Sequence, residues 1–249
     1  MTESFVLRSS DRGFIKVLSD GEASSYVAGH PDGVFTRHSS FNFREYQSGR
    51  AGFGQIRVFG EEVFSGQGCG YNIHRHHNFI ICAFVLRGEL THINTVGKID
   101  QLRPGEYYVF SAGSGGKHSE LNLETEDLHV IYIWFLPDAL LRRPSYMRGR
   151  FDRSANHDRV TTLIGKEDGA LPIPQDVRVS RLASDAAKSY EYPLISRHHG
   201  VYAFVLEGDA DCGVAKLSRG DSAGVWDTDR LYLKTGSAPT DLLLVETIM

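Results

Sequence analysis

Cysteine is scarce in this chain of 249 residues. The three cysteines, Cys69, Cys82 and Cys212, are widely spaced, and none of them forms a C-x-x-C pair. An odd number of isolated thiols is typical of an intracellular protein with reduced cysteines. We therefore do not expect a disulfide framework.

Long apolar runs are also missing. The longest, Phe79–Leu86, is far too short to span a bilayer. Residues 1–20 alternate apolar with polar or charged side chains, and they lack the apolar stretch that a signal peptide requires. We therefore expect a cytoplasmic protein without a membrane partner.

Positive charge is not in excess. Lys and Arg total 27 against 31 Asp and Glu, which gives a formal net charge of −4. This balance provides no general attraction to nucleic acid, so direct binding to nucleic acid is not expected. One local exception, Arg142–Arg153, holds five arginines in twelve residues. We interpret it as a solvated linker rather than a contact surface for nucleic acid or an acidic partner.

What the sequence does contain is many short runs rich in Val, Ile, Phe and Tyr, separated by turns with glycine. The predicted strands are Gln55–Phe59, Phe79–Leu86, Tyr107–Ser111, Leu128–Leu136, Val177–Leu182, Val201–Leu206, Arg230–Leu233 and Asp241–Glu246. Many short strands at close spacing predict an all-β sandwich or barrel. Helix is expected only at Pro137–Leu141 and around Asn156–Ile164, both with weak periodicity.

One motif occurs twice. F-V-L-R-G-E-L at 84–90 returns as F-V-L-E-G-D-A at 204–210, and a second glycine turn follows each copy. A repeat at this distance is too long for a solenoid and predicts two similar β-barrels. We expect a first barrel over residues 1–141, a linker over 142–155 and a second barrel over 156–249, on which the first strand of the chain could also pack.

Two short motifs carry ligand chemistry: H-R-H at 74–76 and H-S-E at 118–120. Residues i and i+2 of a strand project from the same face, so each motif presents two donors to one side. Two such strands side by side would bring His74, His76, His118 and Glu120 to one point. This pattern predicts a metal site with open coordination positions.

These motifs and their surroundings resemble the pirin family of bicupins. The resemblance rests on G-Y-N-I-H-R-H-H-N-F-I-I-C-A-F-V-L-R-G at 70–88, S-A-G-S-G-G-K-H-S-E-L-N at 111–122 and I-Y-I-W-F-L-P-D at 131–138. It implies two jelly-roll-like cupin barrels, with one divalent metal on His74, His76, His118 and Glu120 of the first. Iron(II) is the metal that the family implies, and nickel, manganese, cobalt and zinc remain open on ligand chemistry.

The chain departs from the family pattern beside the motif. Many members have H-P-H-R-D-M-E where this chain has H-R-H-H-N-F-I, so Arg75 replaces a proline and Ile80 a glutamate. By strand parity, the predicted lining of the metal cavity is Asn78, Ile80, Cys82 and Phe84.

Other histidines are not predicted to be ligands. His77 is out of phase with the motif, and His92 and His129 are interpreted as ordinary core or surface residues. In the second barrel, the repeat aligns non-ligands with the four predicted ligands: Leu194, Ser196, Leu233 and Thr235. We therefore expect no metal there.

Two functions follow from the resemblance. The first is a quercetin 2,3-dioxygenase, which opens a flavonol ring, with Glu120 as both metal ligand and catalytic base and with a small aromatic substrate. The second is an iron-dependent redox-sensing regulator, or transcriptional cofactor, that binds a protein partner. A metal that only stabilises the fold is the third alternative.

Overall fold

The computed structural model describes residues 2–44 and 46–249. Within these residues the chain is built from β-strands and one short 3₁₀ helix at Ser9–Asp11, so the all-β prediction is confirmed. In chain order, the strands are β1 (Glu3–Leu7), β2 (Gly13–Leu18), β3 (Val27–Ala28), β4 (Val34–Ser39), β5 (Ile56–Ser65), β6 (Gly70–His76), β7 (Ile80–Arg87), β8 (Leu90–Asn94), β9 (Lys98–Leu102), β10 (Glu106–Ser111), β11 (Gly116–Asn122), β12 (Leu128–Phe135), β13 (Ser145–Arg150), β14 (Arg159–Ile164), β15 (Val177–Ser184), β16 (Ser189–Pro193), β17 (His199–Glu207), β18 (Asp209–Asp211), β19 (Lys216–Ser218), β20 (Ser222–Trp226), β21 (Arg230–Thr235) and β22 (Thr240–Ile248). None of the described segments is a helix with the length and apolar composition that crossing a membrane requires.

Both predicted helices are wrong. Residues 137–141 form bends and turns, and most of Asn156–Ile164 is strand β14. The second error has a clear cause, since the run R-V-T-T-L-I is rich in β-branched residues, which fit a pleated surface better than a helix.

The chain divides into two compact units. The first unit contains residues 13–52 and 56–150, and the second contains residues 2–12, 53–55 and 151–249. The first unit continues past residue 141 because Ser145–Arg150, inside the expected linker, is an edge strand paired with β10. Strand β1 belongs to the second unit, where it pairs with β20.

Each unit is formed by two antiparallel sheets, and the strand orders of the two units correspond. The first unit has a seven-stranded sheet in the order β13-β10-β7-β12-β5-β4-β2 and a five-stranded sheet in the order β3-β6-β11-β8-β9. The second has a six-stranded sheet, β1-β20-β17-β22-β15-β14, and a four-stranded sheet, β16-β21-β18-β19. Adding ten to the strand number therefore maps most of one unit onto the other, as the sequence repeat predicts.

Each unit has its own apolar core between its sheets. In the first unit, the buried side chains include Phe64, Ala83 and Leu128, and polar groups enter this interior from β6, β8 and β11. In the second unit, the interior is lined by aliphatic residues such as Leu182 and Leu244. The two interiors thus share a frame but differ in polarity.

Gly70 allows β6 to approach β11 closely. A Cβ at this position would overlap the carbonyl oxygen of Glu120 and lie 2.7 Å from Cα of Leu121, both of which are backbone atoms that cannot move alone. We expect Gly70→Ala to lower the free energy of unfolding by about 3 kcal/mol, because the strands must separate. Chemical denaturation measures this change.

Gly97→Ala is the matched control. A Cβ at Gly97 meets nothing within 4 Å, so only the positive φ of this residue opposes the change. We expect a loss of about 1 kcal/mol for the control. Equal effects of the two substitutions would contradict the close approach at Gly70.

Candidate metal centre

Strands β6 and β11 bring three histidines together. His118 lies directly opposite His74 in the antiparallel register, and His76 closes the strand two residues later. The ring centroids of these histidines are 4.6 to 4.9 Å apart. One nitrogen from each ring lies within 4.8 Å of the others, a spacing that one ion could bridge. The predicted convergence of the two motifs is thus present for the histidines.

Glu120 occupies the buried side of this cluster. Its Oε2 lies 3.6 Å from Nε2 of His118, and its Oε1 accepts a hydrogen bond from the Tyr108 hydroxyl. A carboxylate oxygen of Glu120 lies within 4.8 Å of ring nitrogens of both His118 and His92. It does not form such a cluster with His74 and His76. Of the four predicted ligands, the three histidines therefore form one cluster, and Glu120 lies next to this cluster, beside His118.

The three motif histidines are neutral in this environment. Burial lowers the pKa of His74, lowers that of His76 to about 3 and lowers that of His118 well below its usual value. Nδ1 of His74 donates to the carbonyl oxygen of Asn72 at 2.8 Å, which leaves its Nε2 lone pair free. Neutral imidazoles are the form that binds metal.

Two of the imidazole nitrogens are buried and have no hydrogen-bond partner in the described part of the chain. Among the described residues, nothing forms a hydrogen bond to Nε2 of His76 or to Nε2 of His118. Buried polar atoms without partners are uncommon and need an explanation. A divalent cation would satisfy both nitrogens, so the residues present fit a metal.

Burial also dominates the electrostatics of Glu120. It raises the pKa of this carboxyl to about 8, and the hydrogen bond from Tyr108 opposes the shift. A nearby cation favours the ionised form of a carboxyl. The site therefore contains a buried acid whose charge a metal would stabilise.

His92 belongs to this centre, whereas the sequence alone predicts an ordinary core or surface residue. It lies opposite Glu120 in the pairing of β8 with β11, and its Nε2 is 3.1 Å from Nδ1 of His118. Its ring is fully buried and stacks between Tyr108 and Tyr146, at centroid distances of 4.2 and 5.0 Å. The sequence does contain a signal for this position, because Leu90, His92 and Asn94 alternate along the strand after the Gly88 turn and therefore share one face.

The predicted cavity lining is wrong. Residues paired across a sheet point to the same side, and Ala83 of β7 pairs with Tyr108, whose hydroxyl reaches Glu120. Cys82 pairs instead with Val109, and it faces away from the site together with the two other predicted residues of its strand, Ile80 and Phe84.

The error arises at Asn78. This residue has a positive φ of 66° and lies between β6 and β7, so side-chain parity does not carry over from one strand to the other. Its own Oδ1 accepts a hydrogen bond from the backbone N–H of Leu141 at 2.8 Å. The side chain of Asn78 thus anchors the loop that contains Leu141.

Aromatic rings surround the histidines instead. Trp134 meets His76 edge-on at 4.8 Å, Phe110 stacks on His118 at 5.0 Å, and Tyr26 lies 5.1 Å from His74. Beside His76 a cavity of about 420 Å³ opens, and its other lining residues are Arg75, His77, Thr95, Ser114, Gly115, Gly116 and Lys117. The centre is therefore open to small molecules at this end of the sheet.

The other two histidines considered in the sequence lie outside the cluster. His77 is exposed, and Nε2 of His129 lies 3.0 Å from a carboxylate oxygen of Glu61.

The corresponding region of the second unit has different chemistry. Leu194 and Leu233 belong to its apolar core. Ser196 lies 2.8 Å from Nδ1 of His199, and the Thr235 hydroxyl donates to the carbonyl oxygen of Asp185. Ala210 pairs with Thr235 where the equivalent Leu90 pairs with Asn122, so Leu231 and Leu233 stand at the positions of His118 and Glu120. Leu231 pairs with Tyr192, so the residue across from the position of His118 is Tyr192 and not Leu194. The absence of a metal in this unit stays a prediction.

Similarity to known proteins covers most of the chain. Residues 25–135 match the model of the pirin family, and residues 164–247 match a model described as the quercetinase C-terminal cupin domain. A quercetin 2,3-dioxygenase from Escherichia coli K12 is 30% identical over 208 residues, which cover 82% of this chain and 88% of the relative. A pirin-like protein from Caulobacter vibrioides is 27% identical over 233 residues, covering 92% and 99%.

Solved structures show the same fold. The bacterial pirin YhhW from Escherichia coli, in complex with nickel(II), superposes with a TM-score of 0.84 at 24% identity and covers 99% of both chains. A quercetin 2,3-dioxygenase from Acinetobacter baumannii gives a TM-score of 0.70 at 14% identity, covering 99% of this chain and 79% of that one. The predicted pair of cupin barrels is thereby confirmed. With a family match in each half and a relative at 30% identity, the chain belongs to the pirin family of two-domain cupin proteins.

Proposed function

We propose that this protein is a metal-dependent dioxygenase of the quercetin 2,3-dioxygenase type. The observation that carries the proposal is the convergence of three neutral imidazoles, two of them with buried Nε2 atoms to which no described residue forms a hydrogen bond. Relatives from several bacteria, including the one from Escherichia coli, are named quercetin 2,3-dioxygenase, mostly as putative enzymes. These names support the assignment to the dioxygenase class.

The proposed ligands are His74, His76, His118 and Glu120. Three imidazoles and one carboxylate suit iron(II), and also nickel, manganese, cobalt or zinc. When bound, the metal would supply Lewis acidity and open coordination positions for a substrate oxygen and for dioxygen.

Glu120 is the proposed catalytic base. A flavonol must lose the proton of its 3-hydroxyl before its ring can react with oxygen, and the Glu120 carboxylate is the acceptor placed beside the histidines. The Tyr108 hydroxyl holds Oε1, so that Oε2 faces the site. Tyr108 thus fixes the direction in which the base points.

The aromatic rings provide a surface for a flat substrate. Trp134 and Tyr26, both partly exposed, each contact one of the three histidines, and flat aromatic ligands pack well against such rings. The cavity of about 420 Å³ beside His76 has the size of a small-molecule site. An open cavity at the proposed metal supports catalysis over a closed regulatory centre.

Metal binding is tested first, with His76→Ala and His77→Ala as a matched pair. His76 has a buried nitrogen in the cluster, whereas its neighbour His77 is exposed. We expect His76→Ala to weaken metal binding by more than about 100-fold, because one ligand is lost, and His77→Ala to bind as the wild type does. Metal analysis and calorimetric titration of the chelator-treated protein with Ni²⁺ measure the affinity of both variants. Wild-type affinity in His76→Ala would exclude His76 as a ligand.

His92 provides a second test of the same centre. With a metal on Nε2 of His118, Nδ1–H of that ring would donate to His92. We expect His92→Phe, which keeps a stacked ring but loses the acceptor, to weaken Ni²⁺ binding by about tenfold. His129→Phe also removes a histidine with a polar partner, Glu61, but one that lies outside the cluster, and should leave the titration unchanged. Equal effects of the two substitutions would indicate general destabilisation.

Turnover is tested by adding quercetin, in air, to protein reloaded with iron(II) and shown to contain it. We expect the flavonol absorption band to disappear with consumption of oxygen. Glu120→Gln should slow this reaction by about 100-fold or more while the three histidines retain some metal. The control is Glu124→Gln, an exposed carboxylate on the loop that follows β11. Unchanged quercetin with loaded wild type would exclude this substrate, and full activity of Glu120→Gln would exclude the base.

A further inference from the structure

Two cations meet across the strands that hold the proposed ligands. In the pairing of β6 with β11, Arg75 lies directly opposite Lys117. Like charges in directly opposite positions of a sheet destabilise the pairing. Among the described residues, no carboxylate forms an ion pair with either side chain, whereas Arg142 and Arg148 of the same unit are paired with Asp138 and Asp100.

The pair lies at the mouth of the centre. By strand alternation Arg75 and Lys117 project from the face of the sheet opposite to the histidines, but β6 ends at His76 and β11 begins at Gly116. At this rim, the cavity of about 420 Å³ is lined by Arg75 and Lys117 together with His76. One small molecule can therefore contact both the cations and the edge of the centre.

Thr95 joins this cavity to a second one. Its hydroxyl accepts a hydrogen bond from the backbone N–H of Lys117, and its own N–H donates to the Lys117 carbonyl. Thr95 also lines a neighbouring cavity of about 730 Å³, with Lys98 and Arg143 in its wall. Neither of these two cavities has an acidic residue in its lining, and in the described part of the chain none of the four cations forms an ion pair. In a protein with a net charge of −4, this local concentration of positive charge is selective for anions.

We propose that Arg75 and Lys117 form a subsite for the carboxylate of an aromatic substrate whose phenolic oxygens face the metal ligands at His76. The proposal rests on the function proposed above and names the substrate class more closely, as phenols that carry an acidic group. An anion between the two cations would relieve their repulsion, and Arg75 offers paired N–H donors that match a carboxylate. The positive mouth would also attract such substrates over a distance.

Catechol and 3,4-dihydroxybenzoate are suitable probes because they differ only by the carboxylate. Their affinities for the Ni²⁺-loaded protein are measured by calorimetric titration at low salt, after the metal content of every variant has been determined. We expect the carboxylate to improve binding to the wild type by about tenfold, the effect of one charge-assisted hydrogen bond. The improvement should shrink as salt is added, because both cations are exposed.

The double substitution Arg75→Gln and Lys117→Gln removes the charges and keeps polar side chains of similar length. We expect it to lower the affinity for 3,4-dihydroxybenzoate to that for catechol and to leave catechol binding unchanged. Lys16→Gln, on exposed strand β2 of the same unit and outside both cavities, is the matched control and should preserve the tenfold preference.

The outcomes separate the two proposals. Equal binding of both probes to the wild type, or a preference that survives in the double variant, would overturn the carboxylate subsite and leave the metal centre intact. If catechol does not bind to the Ni²⁺-loaded wild-type protein, this result would instead count against the proposed function. Catechol binding with a carboxylate preference that the double variant abolishes supports both.

Discussion

The pairing of β6 with β11 is the constraint on which the centre depends. It places His118 opposite His74, which brings together donors that are more than forty residues apart in the sequence. The register shifts between His118 and Glu120, yet the carboxylate stays beside His118 because β8 holds the same strand from its other edge. Backbone hydrogen bonds thus position the proposed ligands before any metal arrives, so binding would require little reorganisation.

The sequence was sufficient where chemistry follows local periodicity. Histidines two residues apart on one strand share a face whatever the rest of the fold does, and His74 with His76 could therefore be predicted as a pair. The lining of the cavity could not be predicted, because the left-handed backbone at Asn78 interrupts the alternation between β6 and β7. His92 was missed for a related reason: its role arises from a neighbour on a different strand, which spacing within its own hairpin does not reveal.

The repeat was informative about architecture and less so about boundaries. Corresponding strand orders in the two units explain why F-V-L-R-G and F-V-L-E-G recur, since β7 and β17 are equivalent central strands. The edge strands β1 and β13 have no copy in the repeat pattern, and they determine where each unit begins and ends. Inside the equivalent frames, Leu231 and Leu233 stand where the first unit has His118 and Glu120. A shared fold therefore tolerates either an aliphatic interior or a cluster of donors.

The stack of Tyr146, His92 and Tyr108 gives the arginine-rich segment an unexpected importance. Tyr146 belongs to β13, inside the stretch that composition alone marks as a connection. Its ring lies against His92, which contacts His118, while Tyr108 on the other side of His92 contacts Glu120. A protein fragment cut at the apparent end of the first repeat would retain every proposed ligand but lose the outer ring of this stack. We therefore expect insertions or fusions in this segment to disturb the proposed metal centre, because the segment is not a simple spacer.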